Sequence, residues 1–426
     1  MNYLSKLALA TAIIAIATPA AAQRMPVGGS SSNKQAVKGA KPQMDDEVKD
    51  DGATSTTGRK LTVSKEAQKA ILALQTAVNA KETATIPALV TAAMKVAKTS
   101  DDKFIIGSNQ ARAGLAANDL VGLKAGLDLM AASGSGDNST LSMNYADLGK
   151  RLVAAGRTAE GVASFDKAIA LDANNAPALA LLADQKSKAG DKAGAVALMQ
   201  RSFLASKTSG AKVAEGNYKF AANLAFESKL AAANDIAREW AGAYPSPESW
   251  RGAVTIYRGI NQPRGQQLAD MYRLARAANG LKGEADYHGY MSTLVGIGAL
   301  SEAKAVLAEA ASAPNIDMTK TQFKEIAAKT AKAPTRAAID AQAKAAATPA
   351  AMIAAGDALY GVGAYAEAAA QYRAALAKGG DGDLANLHLG MALARSGDKA
   401  GAATALVAVG GNQAAIAKYW LMYVGG

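Results

Sequence analysis

The sequence contains no cysteine. That single absence excludes structural disulfides, thiolate metal ligands, a cysteine nucleophile and a lipid anchor on an N-terminal cysteine. Histidine is almost as scarce. His288 and His388 are the two in 426 residues, about a hundred positions apart, and neither has a histidine one helical turn away. Zinc ligation is therefore not indicated, and a packing or groove-lining role suits each better. Aromatic residues make up 5% of the chain while alanine is abundant, which disfavours β-rich folds and suits close helix–helix packing. There is no Gly-x-Ser-x-Gly nucleophile elbow and no Walker-type phosphate loop. Beyond the N-terminal segment no apolar run nears the length of a membrane span. The formal charge of +11 is spread thinly, with no dense Lys/Arg cluster, so it reads as a solvated lysine-rich surface and not as a nucleic-acid interface.

What is present begins with an address. Lys6 supplies a positive start, Leu7–Ala17 is apolar but too short to span a bilayer, Pro19 breaks it, and Ala20-Ala21-Ala22 offers small residues before Gln23. This is the pattern of a secretory signal peptide over residues 1–22, cut after Ala22. The expected location is the periplasm of a Gram-negative cell, or the medium in another host. Residues 23–60 lack a helical apolar period and hold Gly28-Gly29-Ser30-Ser31-Ser32 and the acidic cluster Asp45-Asp46-Glu47 with Asp50-Asp51. Such a segment buries too little surface to offset its ordering entropy and reads as a disordered linker. The carboxylates have no glycine turn or closing bidentate position, so they do not form a calcium loop.

From Leu61 onward the apolar spacing is helical. Its clearest part is Ser142–Ser209, two successive copies of a 34-residue unit. Tyr145, Leu148, Gly149, Gly156, Gly161, Phe165 and Ala168 are answered by Leu179, Leu182, Ala183, Gly190, Ala195, Met199 and Ser202. Tyr287–Ala310, Met352–Ala375 and Leu389–Leu406 restate the register. A fixed period of 34 with these residues resembles the tetratricopeptide repeat, a helix–turn–helix unit that stacks into a solenoid. The resemblance covers nearly all of 61–424 and implies an all-α fold, a right-handed α-α superhelix of about ten helix pairs. Degenerate helical repeats are expected over 61–141, tetratricopeptide-like repeats over 142–317 that weaken after Ser209 and regain register from Glu284, an irregular Ala/Lys-rich pair over 318–348, tetratricopeptide-like repeats over 349–416 and a capping helix over 417–426. Gly149, Gly356 and Gly390 fall where the first helix of a pair presses on the second. Gly156, Gly190, Gly298, Gly363 and Gly397 fall at the turn, where a left-handed residue ends the first helix. Two departures stand out. Ala173 occupies the place of the proline that usually closes a repeat, and Trp240 fills a slot usually held by alanine.

The resemblance also implies what the chain does. In this family fixed first-helix positions line a concave groove that engages a protein or peptide partner. Mapped here, those positions are Lys150, Asp184, Lys188, His288, Ser292, Asp357, Tyr360, Met391 and Arg395. The lysines that some members use to clamp a C-terminal carboxylate are not reproduced, since Ala146, Ala180 and Ile353 stand in their first places. The expectation is a non-catalytic scaffold with no cofactor and no metal, binding a protein segment in the cell envelope. The competing expectation is an accessory of envelope polysaccharide export or cell-wall assembly that contacts glycan. Tyr360, Tyr365, Tyr372, Tyr419 and Trp420 could stack on sugars, though the same rings suit a core and a cap.

Overall fold

The structure is a computed structural model that describes residues 60–425. The expected signal peptide and the expected linker as far as Arg59 lie outside the described residues. Within them the chain is all-α, twenty-one helices with no β-strand. It divides into two compact units, one holding residues to Ala189 together with Arg201–Ser209, the other holding Gly190–Gln200 and Gly210 onward.

The first unit contains α1 (Gln68–Asn79), α2 (Ile86–Val96), α3 (Ser100–Ala116), α4 (Leu120–Ser133), α5 (Asn138–Ala154), α6 (Thr158–Leu171) and α7 (Ala176–Lys188), with the second half of α8 (Lys192–Thr208). Its helices pair as tetratricopeptide-like hairpins, and the reasons are visible in single residues. A Cβ at Gly149 would lie 2.5 Å from the Phe165 ring and 2.9 Å from the Gly161 carbonyl, so only glycine admits this approach of α5 to α6. Gly156 ends α5 in the left-handed region with φ 79°, and Gly190, Gly298, Gly363 and Gly397 do the same after later first helices, with φ between 80° and 91°. Where Ala173 replaces proline, closure is supplied by polar bonds instead. Asn175 accepts from the Ala178 N–H to cap α7, and its amide donates to Ser142 Oγ at 2.7 Å. Ser142 Oγ in turn donates to the Ala168 carbonyl at 2.7 Å, tying the start of one hairpin to the end of its second helix. Ser64, just ahead of α1, is turned toward α3 and does not cap α1. Its hydroxyl donates to Asp102 at 2.7 Å, while Ala67 stands at the N-cap of α1 without a side-chain bond.

The second unit continues with α9 (Glu215–Glu227), α10 (Ala232–Ala243), α11 (Pro247–Asn261), α12 (Gly265–Ala277), α13 (Gly283–Gly296), α14 (Leu300–Ser312), α15 (Thr321–Thr330), α16 (Arg336–Ala345), α17 (Pro349–Gly361), α18 (Tyr365–Ala377), α19 (Gly382–Ser396), α20 (Lys399–Val407) and α21 (Ala414–Gly425). The hairpin rule recurs. A Cβ at Gly356 would meet the Tyr372 ring at 2.6 Å, and one at Gly390 would meet Leu406 at 2.5 Å. Trp240 fits its unusual slot because Gly252 lies beneath the ring and Glu215 accepts from the indole N–H at 3.1 Å. Between α14 and α17 lie the two short helices α15 and α16, the first burying Phe323, Ile326 and Thr330 and the second only Ile339.

The unit departs from a one-dimensional array at its end. In such an array each repeat touches only its neighbours. Here α21 packs on α19 and α20 and also on α10 and α12. The Tyr419 hydroxyl donates to the Asn234 carbonyl at 3.0 Å, and the Tyr423 hydroxyl donates to the Ala277 carbonyl at 3.0 Å. Edge-on ring pairs, Tyr257 with Tyr419 and Trp250 with Tyr423, add aromatic contact at 5.3 and 5.7 Å between centroids. α14 packs on α17 in the same way. The C-terminal helix thus covers more than the last apolar face. It closes the C-terminal hairpins back onto the second helices of the middle ones.

Candidate functional site

The groove positions separate into two groups. On α5, Lys150 is exposed. On α7, Asp184 and Lys188 form an exposed i,i+4 pair at 2.6 Å, which holds the lysine head along its own helix. On α13, Ser292 is exposed and its hydroxyl lies 3.2 Å from His288 Nε2, while the half-buried imidazole meets the edge of Phe323. The positions on α17 and α19 are different. Tyr360 retains 4% of its surface and Met391 1%, so neither offers a side chain to a ligand, contrary to the expectation. Arg395 is half-buried, donating to the Tyr365 hydroxyl at 3.0 Å, and Tyr365 packs edge-on against Tyr360. Asp357 keeps 27% of its side chain exposed. The physical reason is the closure of the unit, since α12 and α14 lie where a ligand would.

That contact contains a charge cluster the register did not reveal. Arg273 of α12 is 2% exposed and donates from Nη2 to Glu302 Oε2 at 2.6 Å, from Nε to both Glu302 oxygens, and from Nη1 to Asp270 Oδ1 at 2.9 Å. Its guanidinium lies 5.0 Å from the centre of the Tyr360 ring. Tyr290 donates to Glu302 Oε1 at 2.6 Å. His388 of α19, 1% exposed, stands between two carboxylates. Its Nε2 is 3.4 Å from Asp270 and 3.3 Å from the Gln266 amide. Its Nδ1 is 2.7 Å from Asp357 Oδ1, an ion-pair approach whose angle falls outside hydrogen-bond geometry. Tyr372 completes the set, donating to Asp357 Oδ1 at 2.7 Å.

The electrostatics follow from the arrangement. Burial alone would pull the His388 pKa down, but the Asp357 and Asp270 carboxylates outweigh it and push it up to about 10. The imidazole is therefore a cation at neutral pH and not a proton shuttle. Burial works to raise Asp357, yet the charge of His388 beside it leaves it below the usual carboxylate range. Tyr290 and Tyr372 are driven well above 10 by burial and by their carboxylate partners, so both remain neutral donors. The formal charges nearly cancel, with Arg273 and His388 against Asp270, Glu302 and Asp357. The cluster holds no serine, threonine or cysteine, and its groups are bonded to one another.

What sequence signal existed was faint. Asp270 and Arg273 sit in the apolar stripe of α12 beside Ala269, Met271 and Leu274, all buried. Charges inside such a stripe mark a polar contact without naming its partner. Above the exposed edge of Asp357 lies an open hollow of about 530 Å³ lined by residues including Pro349, Ile353, Asp357, Asp381 and Leu384. Asp381 serves there as the cap of α19, accepting from the Leu384 N–H at 3.1 Å. Tyr360, Tyr372, Tyr419 and Trp420 are all buried, which removes them as a platform for sugars. Among the described residues no group of three His, Asp or Glu could hold a metal ion, and no helix is long and apolar enough to cross a membrane.

No family model matches the chain, and no curated protein matches it. Among solved structures, the C-terminal part of a TPR repeat-containing protein from Cytophaga hutchinsonii is similar at 10% identity, covering 63% of this chain and 98% of that one, with a TM-score of 0.31. A tetratricopeptide repeat protein from Parabacteroides merdae gives 12% identity, 76% and 99% coverage, and a TM-score of 0.27. The Naa15/Naa10 complex bound to HypK-THB gives 14% identity, 80% and 63% coverage, and a TM-score of 0.25. TM-scores of this size leave the fold to be read from the chain's own hairpins.

Proposed function

We propose that the chain is a non-catalytic scaffold, exported to the cell envelope, that holds a protein or peptide partner on the exposed first-helix faces of its hairpins. One observation carries the reading. In the first unit the equivalent first-helix positions Lys150 of α5 and Asp184 of α7 are open, with Lys188 one turn beyond; in the second, Ser292 of α13 is open while Met391 of α19 is buried. Helices held rigidly by their neighbours present such side chains at little ordering cost, which is how a repeat array binds an extended segment. Mixed charge on these faces, with Asp184 beside Lys188, favours a polar peptide over a uniformly charged polymer. Export is supported by the residue pattern of 1–22.

The test is crosslinking in cells with a C-terminally tagged copy, followed by mass spectrometry of the envelope fraction. One dominant protein, lost when Lys150 and Lys188 are both changed to glutamate, is the expected result. Capture of glycan alone, or of the same protein by the double variant, would reject the assignment. The mass of the mature chain tests export separately, since it should begin at Gln23.

A further inference from the structure

The buried charge cluster does not balance. Two cations, Arg273 and His388, stand against three carboxylates, Asp270, Glu302 and Asp357, which leaves one negative charge over. Neither Arg276 nor Arg395 answers it. Arg276 is paired with Glu309 at 2.8 Å, and Arg395 lies over the Tyr365 ring, 5.0 Å from its centre. Four of the five charged groups are sealed from water, and the surplus emerges at the fifth, since Asp357 alone keeps part of its side chain exposed. A charge held at the edge of a dry interior is poorly hydrated and gains from a counter-ion.

That edge opens on the hollow of about 530 Å³. Its walls are largely apolar, with Pro349 and Ile353 of α17 and Leu384 of α19, and its second charged group is another carboxylate, Asp381. Among the described residues no lysine or arginine lines it, on a chain whose formal charge is +11. The Asp357 carboxylate is fixed in place. The Tyr372 hydroxyl and His388 Nδ1 both lie 2.7 Å from its Oδ1, which leaves Oδ2 without a partner among the described residues. One free oxygen suits a point charge, because an arginine fork needs two acceptors and an ammonium one. The apolar walls suit the methylene stem that carries an ammonium. Since Asp357 is already oriented, binding carries little ordering cost on this side.

We propose that this hollow receives a lysine side chain of the bound partner segment, its ammonium on Asp357 and its stem against Pro349, Ile353 and Leu384. The assignment rests on the scaffold reading for its partner, but its test uses a synthetic peptide. A partner captured in cells with no binding of that peptide would fail the hollow alone. Binding of the peptide with no partner captured would fail the scaffold reading alone.

The probe is the end-capped peptide acetyl-Gly-Gly-Lys-Gly-Gly-amide, titrated into the full chain carrying methyl-labelled isoleucine and leucine. The NMR signals of Ile353 and Leu384 should shift saturably. Replacing the peptide's lysine by norleucine, which keeps the stem and drops the charge, should weaken binding about tenfold. An arginine in its place should bind less tightly than lysine. In the protein, Asp357→Asn should cause about the same tenfold loss. Because that change also touches Tyr372 and His388, a variant at an exposed position keeps the test open. Ala354→Lys sets an ammonium one helical turn before Asp357 and should abolish binding, while the uncharged Ala354→Gln should bind nearly as well as the wild type. No saturable shift at Ile353 and Leu384, equal affinity for the norleucine peptide, or undiminished binding by a folded Asp357→Asn or Ala354→Lys chain overturns the proposal. Tighter binding of the arginine peptide, or of butylammonium alone, does so too, since the first would mean a forked contact and the second a site for a free amine.

Discussion

Gly149 and His388 show how single residues set the behaviour of the chain. A methyl group at Gly149 would press on the Phe165 ring and the Gly161 carbonyl, and backbone cannot step aside as a flexible side chain can. Gly149→Ala should therefore cost about 1–3 kcal/mol in urea unfolding through overpacking, whereas Lys188→Ala, on an exposed surface pair, should change stability by less than about 0.5 kcal/mol. Arg273 sits at the opposite extreme. Arg273→Met strands Asp270 and Glu302 without their cation and should cost about 3–5 kcal/mol. Adding Glu302→Leu should restore part of that loss, since the pair is then replaced by apolar groups. His388 gives a pH signature. Its pKa is about 10 in the fold against an ordinary 6.5, so the native state holds the extra proton. Its contribution to stability is complete below pH 6.5 and is lost as pH rises through 10. Between neutrality and the top of that window the second unit should lose stability on the order of a few kcal/mol. In His388→Gln that part of the slope should vanish in thermal melts run across the same range.

At the scale of helices, α21 is the element whose role depends most on distant sequence. Trp420 is fully buried, and Trp420→Ala should cost about 3–5 kcal/mol. The more telling readout is where protection is lost. Hydrogen exchange in this variant should rise in α10 and α12 as well as in α19 and α20, because Tyr419 and Tyr423 bond carbonyls at Asn234 and Ala277. Loss confined to α19 and α20 would describe a terminal cap. The contrast shows what can be read from the order of residues. The hairpins were legible because their cause is local. Gly156 turns a helix end, and Gly149 and Phe165 meet within one unit, so a fixed spacing records both. The closure was not, since Asp270 and His388 stand 118 positions apart and nothing in either neighbourhood names the other. For the same reason the register could not show that Tyr360 is buried beneath Arg273 of α12 or that Met391 is buried.

Across the whole molecule, the division into two compact units makes a further prediction. Unfolding should resolve into two transitions, with Gly149→Ala lowering one midpoint and Trp420→Ala the other; a single transition moved equally by both would contradict it. Closure of the second unit decides which of its first-helix faces remain open to a partner. It also predicts that residues 180 apart in sequence touch. A Cβ at Gly242 would lie 2.6 Å from Met422 Cγ, and the chain has no cysteine of its own to confuse a crosslink. The most direct measurement is therefore oxidation of the double variant Gly242→Cys, Met422→Cys, read on a non-reducing gel and by mass spectrometry. Closure predicts a nearly complete intramolecular disulfide at low protein concentration with native helicity preserved. Free thiols, or disulfides only between chains, would mean that α21 does not return to α10 and that the C-terminal groove stands open.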